Sequence, residues 1–426
     1  MKYYSVALIV LMASFAHAQL TIEITKGSDN PYRLGIIAKS AADLDQFKAI
    51  NSIIEDDLLR TGDFTILNEV DPGEINDEDL PFTLWKLMKL DFIATTELFR
   101  EEDTSLRLEY RVFDVSKGKL VRESKVLGIP NQTRQLAHYA ADGIFETITG
   151  IRGIASTKLL YVVEREANQE QYFQLMLADA DGANEQMLLQ SDQPIISPAW
   201  SRDSKSIAYV SFESGTAAVY IQEIASGKRE RVLEKETQIS SPAFSPDGKY
   251  LSLTLYQDGN AEIYILRLKD KALTRITKHF AIDTESTWSA KGDKLLFTSS
   301  RSGGPQLYEV NLRKLRNKPE RITFEGSYNA KGTYLPKDEG FVFVHRNAQG
   351  RFQIALQYNN ERFIRPLTNA KLDESPSVAP NGNMVVYAIT DGADSLLAGF
   401  SLSGAKFRYP VKNGKVREPA WSYYTR

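Results

Sequence analysis

The feature that most constrains this chain is a motif that recurs about every 44 residues through its C-terminal two thirds. It reads Pro-x-Trp/Phe-Ser, then a glycine-containing turn, then an apolar strand. It stands at Pro198-Ala199-Trp200-Ser201, at Pro242-Ala243-Phe244-Ser245-Pro246-Asp247-Gly248-Lys249, and, with serine for proline, at Ser286-Thr287-Trp288-Ser289 with Gly292 in the turn. A worn copy that lacks both the proline and the aromatic is expected around Ala330, with its turn near Asp338-Glu339-Gly340. Pro376-Ser377-Val378-Ala379-Pro380-Asn381-Gly382 and Pro419-Ala420-Trp421-Ser422 complete the set. Read this way the steps are 44, 44, 44, 46 and 43 residues. That period suits four short strands with their turns, the unit of a β-propeller blade.

Each part of the motif has a physical reason. In Pro-Asp-Gly, proline presets φ at the first central position and glycine accepts the positive φ that closes a hairpin. Apolar strands follow at one offset: Ile207–Val210, Leu251–Leu253, Leu295–Phe297, Phe341–Val344 and Met384–Tyr387. A third strand comes next, as in Val219–Ile221, Ile263–Ile265 and Gln306–Tyr308. The recurring Trp or Phe is expected to pack between neighbouring sheets. The sixth copy ends the chain with no strands behind it, and two apolar strands without a first partner, Leu159–Val163 and Phe173–Leu177, stand at the other end of the repeat region. The last strand is therefore expected to join the first sheet and close a six-bladed ring, which removes exposed edges. An open solenoid, the alternative, requires polar caps that the sequence does not offer.

The region before the repeats has a different texture. Residues 1–18 read as a signal peptide. Lys2 supplies a basic start, Ser5–Phe15 a short apolar core, and Ala16-His17-Ala18 a small-residue cleavage site, which makes Gln19 the mature N-terminus. The apolar core is too short to span a bilayer. Residues 19–153 read as an α/β domain. Strands are expected around Ile22 and Ile24, at Leu34–Ile37, Phe64–Leu67, Phe92–Thr96, and in the pair Leu106–Val112 and Leu120–Leu127 about the Lys117-Gly118 turn. Leu44, Phe47, Ile50, Ile54 and Leu58 recur at helical spacing behind a capping box at Ser40–Asp43, with Gly62 as the stop. Leu136, Ala140, Ile144 and Ile148 form a second helical stripe. Gly150–Gly153 is a short connector into the propeller, residues 154–426.

Composition excludes several chemistries. The chain has no cysteine, so disulfides, thiolate metal sites and cysteine nucleophiles are absent. Its 52 basic and 55 acidic residues carry no block of like charge, which points away from nucleic acid and from an anionic membrane surface. No nucleotide-binding loop and no His-Glu-x-x-His pattern occurs, and Gly399-Phe400-Ser401-Leu402-Ser403 fails the nucleophile-elbow pattern at its last position. His138, His279 and His345 are far apart in sequence, and the expectation for each is packing or surface rather than metal binding. No catalytic residue, cofactor or metal is expected.

The segments just before each motif copy mark where a propeller chain enters its innermost strand, at the mouth of the central channel. They are Ile195–Ser197, Ile239–Ser241, Asp283–Glu285, Tyr328-Asn329, Leu372–Ser375 and Arg417-Glu418. They are small, polar and acidic, with Arg417 their one cation. Composition leaves a protein-docking surface and a solvated rim both open.

The chain resembles the TolB family of the Tol-Pal envelope system. The resemblance is carried by Asp142-Gly143-Ile144-Phe145-Glu146 leading into Ile148-Thr149-Gly150-Ile151-Arg152-Gly153, by Phe212-Glu213-Ser214-Gly215, Leu372-Asp373-Glu374-Ser375-Pro376-Ser377 and Ala379-Pro380-Asn381-Gly382, and by the motif copies above. It implies a periplasmic, non-enzymatic adaptor, expected to be a monomer, that acts in outer-membrane invagination at cell division and in envelope integrity. It implies binding of the lipoprotein Pal at the channel mouth through Gln238, Ser240, Ser241, Thr284, Glu285, Asp373, Glu374, Ser375, Arg417 and Glu418. It implies binding of TolA by the N-terminal segment, within which Gln19, Leu20, Thr21, Ile22, Glu23, Ile24, Thr25 and Lys26 are the expected contacts, although Thr25-Lys26-Gly27 departs from the family's Asp-, Ser- and Gly-rich pattern. Some bacteriocins exploit the same propeller surface. The competing class is an exported propeller hydrolase or a peptidase-related protein. N-terminal sequencing of protein from a periplasmic extract is expected to begin at Gln19; intact Met1 in a cytoplasmic fraction would contradict the signal-peptide reading.

Overall fold

The computed structural model describes residues 21–23, 28–39, 44–67, 80–102, 105–167, 169–257, 259–313, 318–369, 372–391, 394–409 and 414–425. The signal peptide, the cleavage site, Gln19, Leu20, Ile24–Lys26 and the capping box at Ser40–Asp43 lie outside the described residues. The chain is an α/β domain followed by a six-bladed β-propeller closed by its C-terminal strand.

The α/β domain is one five-stranded sheet in the spatial order Phe64–Leu67, Tyr32–Ala38, Phe92–Arg100, Leu106–Asp114, Lys119–Gly128. The first two pairings are parallel and the rest antiparallel. Helices Leu44–Arg60 and Thr133–Thr149 cover one face, where Phe47, Ile50, Ile54, Leu136, Ala140 and Ile144 meet Leu34, Leu108 and Val112 in one buried core. Those are the two helical stripes read from the sequence. The opposite face is closed by a short helix, Phe82–Leu87, whose Trp85 is buried against Ile93 and Phe113. At six residues it is too short to leave a periodic stripe, and the sequence reading missed it.

The propeller has four strands per blade. Blade 1 comprises Lys158–Ala167, Glu170–Asp179 and Gln186–Ser191, with Lys415–Trp421 as its innermost strand. Blades 2 to 6 begin at innermost strands Ile195–Trp200, Ile239–Phe244, Asp283–Trp288, Asn329–Tyr334 and Asp373–Val378. The closing pairs run Lys415↔Glu164, Val416↔Val163, Arg417↔Val162, Ala420↔Leu160 and Trp421↔Leu159. Trp421 Nε1 donates to Thr157 Oγ1 at 2.8 Å and Ser422 N to the Lys158 carbonyl at 2.8 Å. Apolar clusters fill all six interfaces between neighbouring blades, and Val416 and Trp421 of the closing strand complete the one between blades 6 and 1. The recurring tryptophans stitch the same interfaces. Trp200 Nε1 reaches the Ala420 carbonyl and Trp288 Nε1 the Ala243 carbonyl, each at 3.0 Å.

Every innermost strand carries the same irregularity. The pairing shifts between Ile196 and Ala199, Ser240 and Ala243, Thr284 and Thr287, Ala330 and Thr333, Glu374 and Ser377, and Arg417 and Ala420. Within each shift one residue has positive φ: Ser197, Ser241, Glu285, Lys331, Ser375 and Glu418, between 50° and 57°. This is a β-bulge repeated six times, and a positive φ on a residue with a side chain is a strained conformation held by its surroundings. The bulges correct the register read around Ala330. The residue in the proline position of blade 5 is Gly332, two places later, and Tyr334 takes the tryptophan position, donating to Glu309 Oε2 of blade 4 at 2.8 Å. The copy has lost its proline but kept its aromatic. Blade 6, with Val378 there, is the blade without one.

The joint between domains explains the motif that carried the resemblance. Asp142, midway along the helix Thr133–Thr149, accepts from Ala155 N at 2.6 Å and Ser156 N at 3.1 Å, and so holds the chain entering the propeller. Gly143 lies under the Tyr110 hydroxyl, and a Cβ there would come within 1.9 Å of it; a Cβ at Gly153 would come within 2.4 Å of Asp142. Beside this joint lies a buried charge knot. His138 Nδ1 meets Asp57 Oδ2 at 2.6 Å, and its Nε2 faces Asp179 and Asp181 of blade 1 at 3.7 and 4.0 Å. Arg60 Nη2 pairs with Asp57 at 2.9 Å, Arg134 with Asp181, and Lys158 with Asp179. Burial pulls the His138 imidazole down, but the carboxylates of Asp57, Asp179 and Asp181 outweigh it, and its pKa is pushed up to about 10. Burial raises Asp57 and Asp179, yet His138 for the first, and His138 with Lys158 for the second, hold both below the usual carboxylate range.

Two outcomes follow from these interfaces. Deleting residues 417–426 is expected to open the ring and cause aggregation or a large fall in melting temperature, and Trp421→Ala alone to cost about 3–5 kcal/mol; a truncated chain that melts like the parent would argue against closure. His138→Ala is expected to cost about 3–5 kcal/mol by leaving buried charge unpaired. A raised histidine pKa contributes stability fully below its usual value near 6.5 and loses it as pH rises through about 10. The lowered aspartates contribute above the usual 3.8 and lose their share in acid. Melting curves against pH should therefore show a parent-to-variant gap widest between the usual values of 3.8 and 6.5 and shrinking from there as pH rises through about 10; a gap that has not shrunk by about pH 10 would contradict the sign.

Candidate functional site

Chain direction alternates from strand to strand within a blade. The loops that enter the innermost strands, and the turns between second and third strands, thus share one face. The α/β domain packs on the other: Asn381 Nδ2 donates to the Arg152 carbonyl at 3.0 Å, and Ser403 Oγ to Asp63. The channel mouth is therefore on the face away from the domain.

The mouth holds a cavity of about 710 Å³ lined by residues of blades 1, 2, 4, 5 and 6. Glu164, Glu285, Asp373, Glu374 and Glu418 line it, against only Lys331 and Arg417, so its floor is acidic. A second cavity of about 250 Å³ lies beyond, walled by the motif prolines and by Trp200, Phe244, Trp288, Tyr334 and Trp421. Glu285, Lys331, Ser375 and Glu418 line both cavities. The bulge residues are thus the waist of the channel, and they are linked around it. Glu418 accepts from Ser197 N and faces Lys331 Nζ at 3.6 Å. Lys331 Nζ donates to Ser375 Oγ at 2.8 Å, and Lys331 N to Glu285 Oε2 at 3.1 Å. Thr298 Oγ1 donates to Glu285 Oε2 at 2.9 Å. Across the mouth, burial and then the carboxylates of Glu285 and Glu374 push the Tyr328 hydroxyl pKa up.

Of the residues singled out from the sequence, Glu285, Asp373, Glu374, Ser375, Arg417 and Glu418 come together at this cavity. Asp373 is fully buried and accepts from Thr368 Oγ1, so it supports its blade from within. Arg417 is paired with Glu164 at 2.9 Å. Ser241 lines the inner cavity. Gln238, Ser240 and Thr284 line neither: Gln238 is an exposed rim residue whose carbonyl accepts from Tyr256 N, and Thr284 Oγ1 meets Thr254 Oγ1 at 3.3 Å. The sequence reading missed Lys331, because placing the worn repeat at Ala330 set its bulge two residues early. It also missed Glu164, which belongs to a second strand rather than to an entering segment. Thr21–Glu23, at the N-terminal segment, pairs antiparallel with Lys406–Arg408 as a fifth strand on the outer edge of blade 6.

The mouth offers carboxylates, hydroxyls and two cations for hydrogen bonds and ion pairs. At the waist, Lys331 Nζ donates to Ser375 Oγ and faces Glu418. Elsewhere, Asp57, His138 and Asp181 bring three donor groups within 4.8 Å, a set that could hold a metal ion. Arg60, Arg134 and Lys158 already neutralise these carboxylates and their neighbour Asp179, which leaves little charge for an added cation to meet.

Comparison with known proteins agrees with this architecture. Residues 20–121 match the TolB amino-terminal domain, and residues 145–425 the TolB beta propeller domain. The chain is 43% identical over 430 residues to the Tol-Pal system protein TolB of Xanthomonas campestris pv. campestris strain B100, covering 98% of this chain and 96% of the relative. It is 43% identical over 427 residues to the protein of the same description from Hamiltonella defensa, covering 98% of each. The crystal structure of TolB from Acinetobacter baumannii superposes with a TM-score of 0.87 at 34% identity, covering 95% of this chain and all of that one. With matching domains in matching order over almost its whole length, this chain belongs to the TolB family of Tol-Pal system proteins.

Proposed function

We propose that this chain is a periplasmic, non-enzymatic adaptor of the Tol-Pal system. Its propeller, residues 154–426, binds the lipoprotein Pal at the channel mouth. Its N-terminal domain, residues 19–153, offers the segment Gln19–Lys26 to TolA. Together these contacts support outer-membrane invagination at cell division and envelope integrity.

The observation that carries the reading is the acidic mouth itself. Besides the buried Asp373, four carboxylates and two cations surround one preformed cavity, and five of those six charged residues sit on or beside strained bulges that the fold repeats six times. Such a floor favours a partner that brings basic or donor-bearing groups. Family membership supports Pal as that partner, since the relatives are named for the Tol-Pal system. The strand at Thr21–Glu23 supports the second contact, because a segment that adds to a sheet edge here has the backbone habit needed to add to a partner's edge.

Calorimetric titration separates the two contacts. Glu285→Ala and Glu374→Ala are expected to weaken Pal binding more than tenfold, since truncating one side of a buried charged contact costs roughly 2–5 kcal/mol. Both should keep the parent's melting temperature and TolA binding. Deleting residues 19–26 should abolish TolA binding and leave Pal binding intact. A parent protein that binds neither Pal nor TolA, or that turns over a small substrate lost in the two Glu variants, would overturn the adaptor reading in favour of a propeller hydrolase.

A further inference from the structure

Three large apolar side chains stand out from the mouth face on two neighbouring entering loops. Phe280 is 89% exposed, Ile282 50% and Phe324 68%. Phe280 and Ile282 precede the innermost strand of blade 4, and Phe324 that of blade 5. The corresponding loops ahead of blades 2 and 3, Asp192-Gln193-Pro194 and Glu236-Thr237-Gln238, are polar. Among the described residues of the entering loops, the large exposed apolar side chains are these three.

The loop that carries Phe280 is tied down. Glu262, buried in blade 3, accepts from His279 N through Oε1 at 2.6 Å and from Thr277 Oγ1 through Oε2 at 2.6 Å, and pairs with Arg275 at 2.8 Å. Asn260 Nδ2 donates to the carbonyls of His279 and Ala281. Ala281 N donates to His279 Nδ1, and Ile282 N to Ser300 Oγ, each at 3.1 Å. The His279 ring lies against Phe280 with centroids 4.3 Å apart. A buried carboxylate is costly to desolvate and is kept where it is well bonded. Here it fixes a loop whose outermost side chain touches almost nothing of its own fold. Ordering an aromatic before binding removes an entropy cost from the binding step, and preordered aromatics dominate interface energetics.

We propose that Phe280, with Ile282 and with Phe324 on the next loop, is a preformed apolar anchor for the protein that docks on the channel mouth. The inference rests on the mouth being a docking surface, as proposed above. Continuity specifies the occupant: Phe280 stands four residues ahead of Thr284 and five ahead of Glu285 in one run of chain. A partner seated on the acidic floor meets this sector with its flank. It is a folded protein that offers basic or donor-bearing groups to the floor and an apolar recess to the rim of blades 4 and 5. The charges steer encounter, and the anchor governs how long the complex lasts.

The test uses the full mature chain and purified Pal, with dissociation followed in real time. Phe280→Ala is expected to weaken binding about 30-fold, chiefly through faster dissociation, with an unchanged melting temperature. Phe280→Trp should retain binding. Phe363→Ala is the control: this side chain is 52% exposed, but it lies on the turn between the third and fourth strands of blade 5, on the opposite face. Parent-like dissociation from Phe280→Ala overturns the inference and leaves the mouth reading standing. An equal loss from Phe363→Ala overturns it as a non-specific effect. A concentration-dependent dimer of the parent that Phe280→Ala dissolves assigns the patch to self-association and overturns it also. A parent that does not bind Pal overturns both.

Discussion

The pairing of Lys415–Trp421 with Lys158–Glu164 is the interaction on which the rest of the structure depends. Strands more than 250 residues apart in sequence meet there, and the sixth interblade core exists only because they do. Loop-closure entropy grows slowly with length, so a join across a whole domain costs little more than one across a single blade. What it gains is large: two sheet edges disappear and the last apolar interface is filled. The same strand places Arg417 and Glu418 at the channel, so closure and the mouth are one event.

The bulge gives the ring its chemistry. In a regular strand, side chains alternate between two faces, and an innermost strand would present one residue in two to the channel. The extra residue breaks that alternation and sets a side chain at positive φ into the waist on every blade. The fold thus supplies six equivalent positions, and the sequence decides what each one carries. Three are serines; Glu285, Lys331 and Glu418 are charged and linked through hydrogen bonds and an ion pair. Symmetry of backbone with asymmetry of side chains thus sets serines, carboxylates and a lysine at equivalent positions of one waist.

The α/β domain is held on the face away from this mouth. Its attachment includes the buried His138 knot, where Asp179 and Asp181 of blade 1 meet the helices, and the close passage of Gly153 over Asp142, where no side chain fits. The motif that most specifically marks the family in the sequence is therefore a motif of domain joining. It lies apart from the loops of the mouth, whose residues differ from blade to blade.

The sequence by itself determined the blade count, the closure and the two helical faces of the first domain. Those features are written as local repetition: turn chemistry at Pro246-Asp247-Gly248, apolar periodicity at Phe47, Ile50 and Ile54, and a sixth copy of the strand motif at Pro419–Ser422. It also pointed to Glu285, Glu374 and Glu418, because entering strands can be located from the motif. Tertiary structure decided the rest. Lys331 joined the waist because the bulge in blade 5 falls at a Lys-Gly step with no proline to mark it. Asp373 proved to be buried because its side chain turns into its own blade, a direction set by strand pairing. His138 found Asp57, Asp179 and Asp181 because two helices and one blade turn converge, and no spacing in the chain records that convergence. Whether Phe280 is a core residue or an exposed one depends on a brace from Glu262, eighteen residues earlier, and a hydrogen bond formed across a folded sheet leaves no periodic trace in sequence.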